Sequence, residues 1–117
     1  MTVYRQGDIV LVPFRYMDED NEKKRPALVI STYKFNQENS GLIAAALSSS
    51  VPLQLDDNML LISGQELMRT GLHKDSIIKT DAIFTVAKNR VIKSIGVSTN
   101  HLLVSTVEKV IRHIATR

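Results

Sequence analysis

The sequence predicts a mainly β fold closed by a C-terminal α-helix: a small, strongly curved sheet or barrel with the helix packed on it. Three observations carry that expectation. Short apolar runs bounded by turn residues follow one another as far as Gly96. The last segment then changes to helical spacing. A Gly-rich phosphate loop and internal repeats are both missing, which sets aside nucleotide-binding α/β folds.

The elements read in order. "GDIVLVPF" (Gly7 to Phe14) is a short apolar run between turn residues, and "RPALVIST" (Arg25 to Thr32) is a second, joined to it by the polar loop "RYMDEDNEKK". "GLIAAALSSS" (Gly41 to Ser50) supplies a third strand, whose alanines suit a crowded sheet position. "NMLLIS" (Asn58 to Ser63) is a fourth, and a helical turn covers "GQELMRTG". "DSIIKTDAIFTVA" and "RVIKSIG" are further extended segments, with Lys88 and Asn89 at the turn between them. In the closing helix Leu103, Val107, Val110, Ile111 and Ile114 fall on one stripe, and Ser98 or Thr99 can cap its start.

Length and composition bound the class. The 117 residues predict one domain over 1–117, with room for one compact core and not for a separate cofactor domain. Hydrophobic residues make up 44% and charged residues 23%, an ordinary globular balance without a low-complexity segment. No apolar run approaches the roughly 20 residues of a membrane span, and the polar start "MTVYRQGD" lacks a signal-peptide core, so a cytoplasmic protein away from membranes is expected. The absence of cysteine removes disulfides, thiolate ligands and cysteine nucleophiles together. Net charge is +3, but from His73 to Arg117 eight cations face three anions. That surplus favours an anionic partner, although basic domains without one are common.

One stretch stands out. In "NEKKRPALVIS" (Asn21 to Ser31) three cations end at a proline where a buried strand begins, so Pro26 fixes Arg25 at the edge of the sheet. By itself Arg25 could be a loop charge paired with Asp18, Glu19, Asp20 or Glu22. Aromatics interleave with cations around the same loop: Phe14, Tyr16, Tyr33 and Phe35 among Arg15, Lys23, Lys24 and Lys34, a mixture suited to single-stranded RNA. Phe14 alternates as a core residue would, leaving Tyr16 as the better stacking candidate. His101 and His113, twelve apart on a helix, point about 120° apart and cannot share a metal there. His113 is expected at the helix surface, and His73, in a loop, could reach a groove.

The order "GDIVLVPF", "KKRPALVIS", "IAAALSSS", "GLHKDSIIKTDAI" and "RVIKSIGVSTNHLLVSTVEKVIRHI" resembles the PemK/MazF family of bacterial toxin endoribonucleases over nearly the whole chain. The resemblance implies an SH3-like small barrel with a C-terminal helix, a homodimer, and cleavage of single-stranded RNA at short preferred sequences without a metal or other cofactor. It also implies a cognate antitoxin whose C-terminal segment fills the RNA groove. The family's Arg-Pro arginine matches Arg25 and its strand-end threonine matches Ser48. An arginine and aspartate two apart match Lys79 and Asp81, while a loop histidine has no counterpart between Tyr16 and Lys24.

The chemistry implied is attack of the 2′-hydroxyl on the adjacent phosphorus with loss of the 5′-oxygen. Arg25 would stabilise the developing charge with its planar donors, and Asp81 would be the carboxylate base, its apolar neighbours raising its pKa. Lys79 would hold the phosphate or protonate the leaving oxygen, and Ser48 would bind the phosphate or the attacking hydroxyl. Lys23, Lys24, Arg15, Tyr16 and His73 would bind RNA. These four catalytic candidates should converge on one concave surface. Plainer readings stay open: Ser48 as a strand terminus, Lys79 and Asp81 as a solvated ion pair, and the whole chain as a member that binds a protein or nucleic acid without cutting RNA.

Overall fold

The computed structural model describes residues 3–115. Met1, Thr2, Thr116 and Arg117, the ends of the span expected to fold as one domain, lie outside the described residues. Six strands form one antiparallel sheet: β1 (Asp8–Phe14), β2 (Lys23–Val29), β3 (Gly41–Ser48), β4 (Met59–Ile62), β5 (Ser76–Ala87) and β6 (Lys93–Val97), in the order β4-β5-β3-β2-β1-β6. The sheet curves into a half-barrel, and the helix expected at the C-terminus spans Asn100–Ala115. A 3-10 turn at Gly64–Leu67 falls inside "GQELMRTG", and another at Lys88–Arg90 makes the expected turn before β6.

Both faces of the sheet are apolar, so its central strands read as continuous hydrophobic runs. One side gathers Val10, Val12, Ala27, Val29, Leu42 and Ala44. The other gathers Ile9, Leu28, Ala45, Leu47, Ile62 and Ile78. Ala44, Ala45 and Ala46 are all buried in β3, between β2 and β5, which is the crowding their small side chains suggested.

Two local readings are corrected. The second strand runs from Lys23 to Val29, not from Arg25 to Thr32: Lys23 and Lys24 already pair with Phe14 and Pro13 of β1, and Thr32 begins a short helix, α1 (Tyr33–Glu38). Its Oγ1 accepts a hydrogen bond from the Phe35 amide at 3.1 Å, and the buried Asn36 side chain donates to Tyr4 O and Ser31 O.

The second correction concerns the C-terminal helix, α2. It begins at a cap made by Thr99, whose Oγ1 accepts from the Leu102 amide at 3.2 Å. The face it turns to the sheet is offset from the apolar stripe, whose Leu103, Val107 and Val110 are only half-buried. Leu102 and Thr106 are its buried residues, and further along Lys109 reaches Asp57 O at 3.0 Å and His113 reaches Thr80 Oγ1 at 2.9 Å. Those four positions recur at i, i+4, i+7 and i+11, a regular stripe of mixed polarity. Val104, Ile111 and Ile114 are exposed. No helix is long and apolar enough to cross a membrane among the described residues.

Candidate functional site

The register places the cleft. Ala27 of β2 pairs with Ala46 of β3, and Ala46 pairs with Lys79 of β5. Residues opposite one another in an antiparallel ladder share a face, as do residues two apart in a strand. Arg25, two before Ala27, and Ser48, two after Ala46, therefore lie on the face that carries Lys79. Between Lys79 and Ile83 the ladder breaks: Ala46 pairs with Lys79 but Ala45 with Ile83, so Thr80, Asp81 and Ala82 bulge out of it. The bulge brings Asp81 to the same cleft.

That cleft, of about 850 Å³, is lined by Arg25, Ser48, Lys79 and Asp81 together with Arg15 and Tyr16. All four expected catalytic positions thus share one concavity. Lys23 and Lys24 do not line it: both are exposed at the start of β2, opposite Phe14 and Pro13. His73 lines a different cleft.

Tyr16 is the centre of the arrangement. Its ring meets Phe14 edge-on at 4.9 Å between centroids, and its hydroxyl donates to Leu47 O at 3.2 Å. The Arg25 guanidinium lies 4.6 Å from the ring centroid and Lys79 Nζ 4.4 Å. A half-buried aromatic face is a favourable seat for each cation, contributing about 0.5–2 kcal/mol per contact. A base stacking on this ring would have to displace one of them. Burial pushes the Tyr16 phenol above its usual range, opposed by the nearby Arg25 charge.

Glu19 is the site residue that the sequence did not single out. Arg25 Nη2 donates to both of its carboxylate oxygens, at 2.6 and 2.5 Å, and Arg25 Nε to Phe14 O at 3.3 Å. The Tyr16 amide donates to Glu19 Oε1 at 3.0 Å, and that bond, assisted by Arg25, holds the carboxyl below its usual range. Glu19 was one of four loop acids within reach of Arg25; only the turn at Tyr16–Glu19, closed by the Glu19 amide donating to Tyr16 O at 3.0 Å, selects it. The ion pairing of Arg25 and its place in the cleft are both present.

Lys79 and Asp81 form no ion pair. The two pairs among the described residues are Arg25–Glu19 and Arg90–Glu22. The bulge separates them: Lys79 turns to Tyr16, while Asp81 is exposed and faces Asn58 Nδ2 at 3.5 Å, not the apolar setting expected for it. Thr80, between them, is buried and fixes the bulge. Its hydroxyl donates to Asn58 O at 2.9 Å, so its contact with His113 Nε2 has the imidazole as donor. His113 is exposed overall, as expected, but its tip touches the strand beside the cleft. No three His, Asp or Glu side chains are grouped to hold a metal ion among the described residues.

A family model described as PemK-like, MazF-like toxin of type II toxin-antitoxin system matches residues 5–115. A search of curated proteins finds no match. Solved structures share the fold. MazF from Deinococcus radiodurans superposes with a TM-score of 0.80 at 15% identity, covering 99% of this chain and 100% of that one. A MazE-MazF structure from the same organism gives 0.77 at 15% identity, with 100% of each chain covered. An endoribonuclease in complex with its cognate antitoxin, from a Mycobacterial species, gives 0.76 at 13% identity over 97% of each chain.

Proposed function

Because the chain belongs to the PemK/MazF family of toxins of type II toxin-antitoxin systems, we propose that it is an endoribonuclease cutting single-stranded RNA without a metal. The observation that carries this reading is the meeting of Arg25, Ser48, Lys79 and Asp81, from three strands, in one cleft. Arg25, fixed by Glu19 and Tyr16, stabilises the charge that builds on the phosphate oxygens. A cleft carboxylate takes the proton of the 2′-hydroxyl as its oxygen bonds to phosphorus. Asp81 is exposed to substrate and serves as that base; Glu19, engaged with Arg25, is its competitor. The bond from phosphorus to the 5′-oxygen breaks, and Lys79 supplies the proton that leaves a 5′-hydroxyl beside a 2′,3′-cyclic phosphate. Ser48 holds the phosphate or the attacking hydroxyl.

The working unit in this reading is the whole 1–117 span as a homodimer in the cytoplasm, opposed by a cognate antitoxin. The exposed Val104, Ile111 and Ile114 support a self-association face on α2. The opposite face of that helix touches Thr80, so such an interface would lie on the side of α2 turned away from β5. A long single-stranded RNA incubated with the protein and EDTA tests the activity: expected are cuts with cyclic-phosphate and 5′-hydroxyl ends. Intact RNA, with wild-type protein bound to it, would favour the second reading, a family member that binds without cutting. One observation favours that alternative: Arg25 already has its charge satisfied by Glu19.

A further inference from the structure

A second cleft, of about 630 Å³, lies across the strand ends from the first. Its floor belongs to the β2–β1–β6 ladder, where Pro26 pairs with Leu11 and Leu11 with Lys93. Lys74, Lys93 and His73 line it with Ser49 and Ser94, and no Asp or Glu does. The first cleft is balanced instead, with Asp18, Glu19 and Asp81 against Arg15, Arg25 and Lys79. Of the two clefts, the one with a net positive lining is therefore the one where the proposed reaction does not take place.

The two clefts meet at adjacent residues. Arg25 lines the first and Pro26 the second; Ser48 lines the first and Ser49 the second. Consecutive strand residues face opposite ways, and the β2–β3 ladder stops at Ala27 and Ala46, so a polymer crossing where the two strands part passes from one cleft into the other. The wall of the second cleft is rigid. Gly71 has φ +78°, and a Cβ there would collide with the Ile95 carbonyl oxygen; a Cβ on Gly96 would collide with the Arg69 and Thr70 backbone. Val97 N donates to Arg69 O at 2.8 Å and completes the clamp.

We propose that this second cleft binds the RNA nucleotides flanking the cut, with Lys74 and Lys93 on their phosphates and an apolar floor of Leu11, Pro26 and Ile95 beneath a base. The proposal rests on the ribonuclease reading. An acidic peptide would meet the same cations. RNA is favoured because a strand leaving the first cleft between Arg25 and Ser48 meets Pro26 and Ser49 of the second, carrying a phosphate with every nucleotide.

The test is binding, read apart from cleavage. A fluorescein-labelled, single-stranded 2′-O-methyl RNA of mixed sequence lacks the attacking hydroxyl, and its anisotropy is followed across a salt series. Lys74 and Lys93 are exposed, so Lys74→Ala/Lys93→Ala should melt as the wild type does. Loss of two phosphate contacts should reduce the salt slope by about 1.4 and weaken binding roughly 25-fold near 0.1 M salt. Lys74→Glu/Lys93→Glu should weaken it further. Wild-type affinity and slope in both variants would overturn the proposal. So would wild-type RNA binding together with lost binding of an Asp/Glu-rich peptide, which would assign the cleft to a protein partner. If the wild type leaves unmethylated RNA intact while the variants lose RNA binding, the cleavage reading falls and the RNA subsite stands.

Discussion

Arg25 is held by Glu19, six residues before it, through one nitrogen: Nη2 donates to both carboxylate oxygens, at 2.6 and 2.5 Å. With Nε on the Phe14 carbonyl and the guanidinium over Tyr16, the side chain is oriented before any substrate arrives. None of these bonds uses Nη1, so a phosphate can approach without dismantling the clamp. Orientation in advance is what makes a donor effective in a transition state.

Arg25→Ala should lower the single-turnover rate at saturating RNA by roughly 100- to 1000-fold, the usual effect of losing one such donor. Arg25→Lys should restore only part of it, since an ammonium keeps the charge without the planar fork. Thermal melting checks that both variants fold. Wild-type rates in Arg25→Ala would make it a loop charge after all.

Glu19 gives the loop an acid-sensitive contact. Its carboxyl is held below the ordinary value of 4.5 by the Tyr16 amide and by Arg25. A carboxylate with a lowered folded-state pKa contributes in full above the unfolded-state value and loses that contribution as pH falls through the folded one. Glu19→Gln should therefore be less stable than wild type at neutral pH, with the gap closing on the acid side of 4.5. Urea midpoints measured from pH 7 down to pH 3 would show it. A gap independent of pH would mean that the charge of Glu19 contributes nothing.

Tyr16→Phe keeps the ring beneath Arg25 and Lys79 but loses the hydrogen bond to Leu47 O. It should cost about 0.5–1.5 kcal/mol of stability and leave most of the cleavage rate. Tyr16→Ala removes the seat of both cations, and its rate should fall well below that of Tyr16→Phe. Equal rates for the two variants would show that the ring does not position the cations.

The outer face of α2 should carry the dimer. Ile111 is 51% exposed, so Ile111→Glu should change the stability of an isolated subunit by no more than about 0.5 kcal/mol. Sedimentation equilibrium should show a dimer for wild type and a monomer for the variant. A monomeric wild type at tens of micromolar, or a dimeric Ile111→Glu, would remove α2 from the interface.

What the sequence determined by itself follows from local rules. Strand period, turn residues and the change to helical spacing at Leu103 are properties of neighbouring residues, and they place all six strands and the closing helix to within a few positions. The expectation that Pro26 marks the start of the second strand is off by two residues, since β2 already begins at Lys23 and Arg25 lies within it. The tertiary structure decided what depends on distant partners. Among four loop acids, the turn at Tyr16 chose Glu19 for Arg25. The β5 bulge separated Lys79 from Asp81, which simple alternation would have paired. The stripe on α2 shows the difference most clearly. Hydrophobic spacing reveals that a helix has an apolar face, but not whether its own sheet or another surface will cover it. Here the sheet took Leu102, Thr106, Lys109 and His113, because backbone and hydroxyl groups at Asp57 and Thr80 could satisfy the polar members of that face.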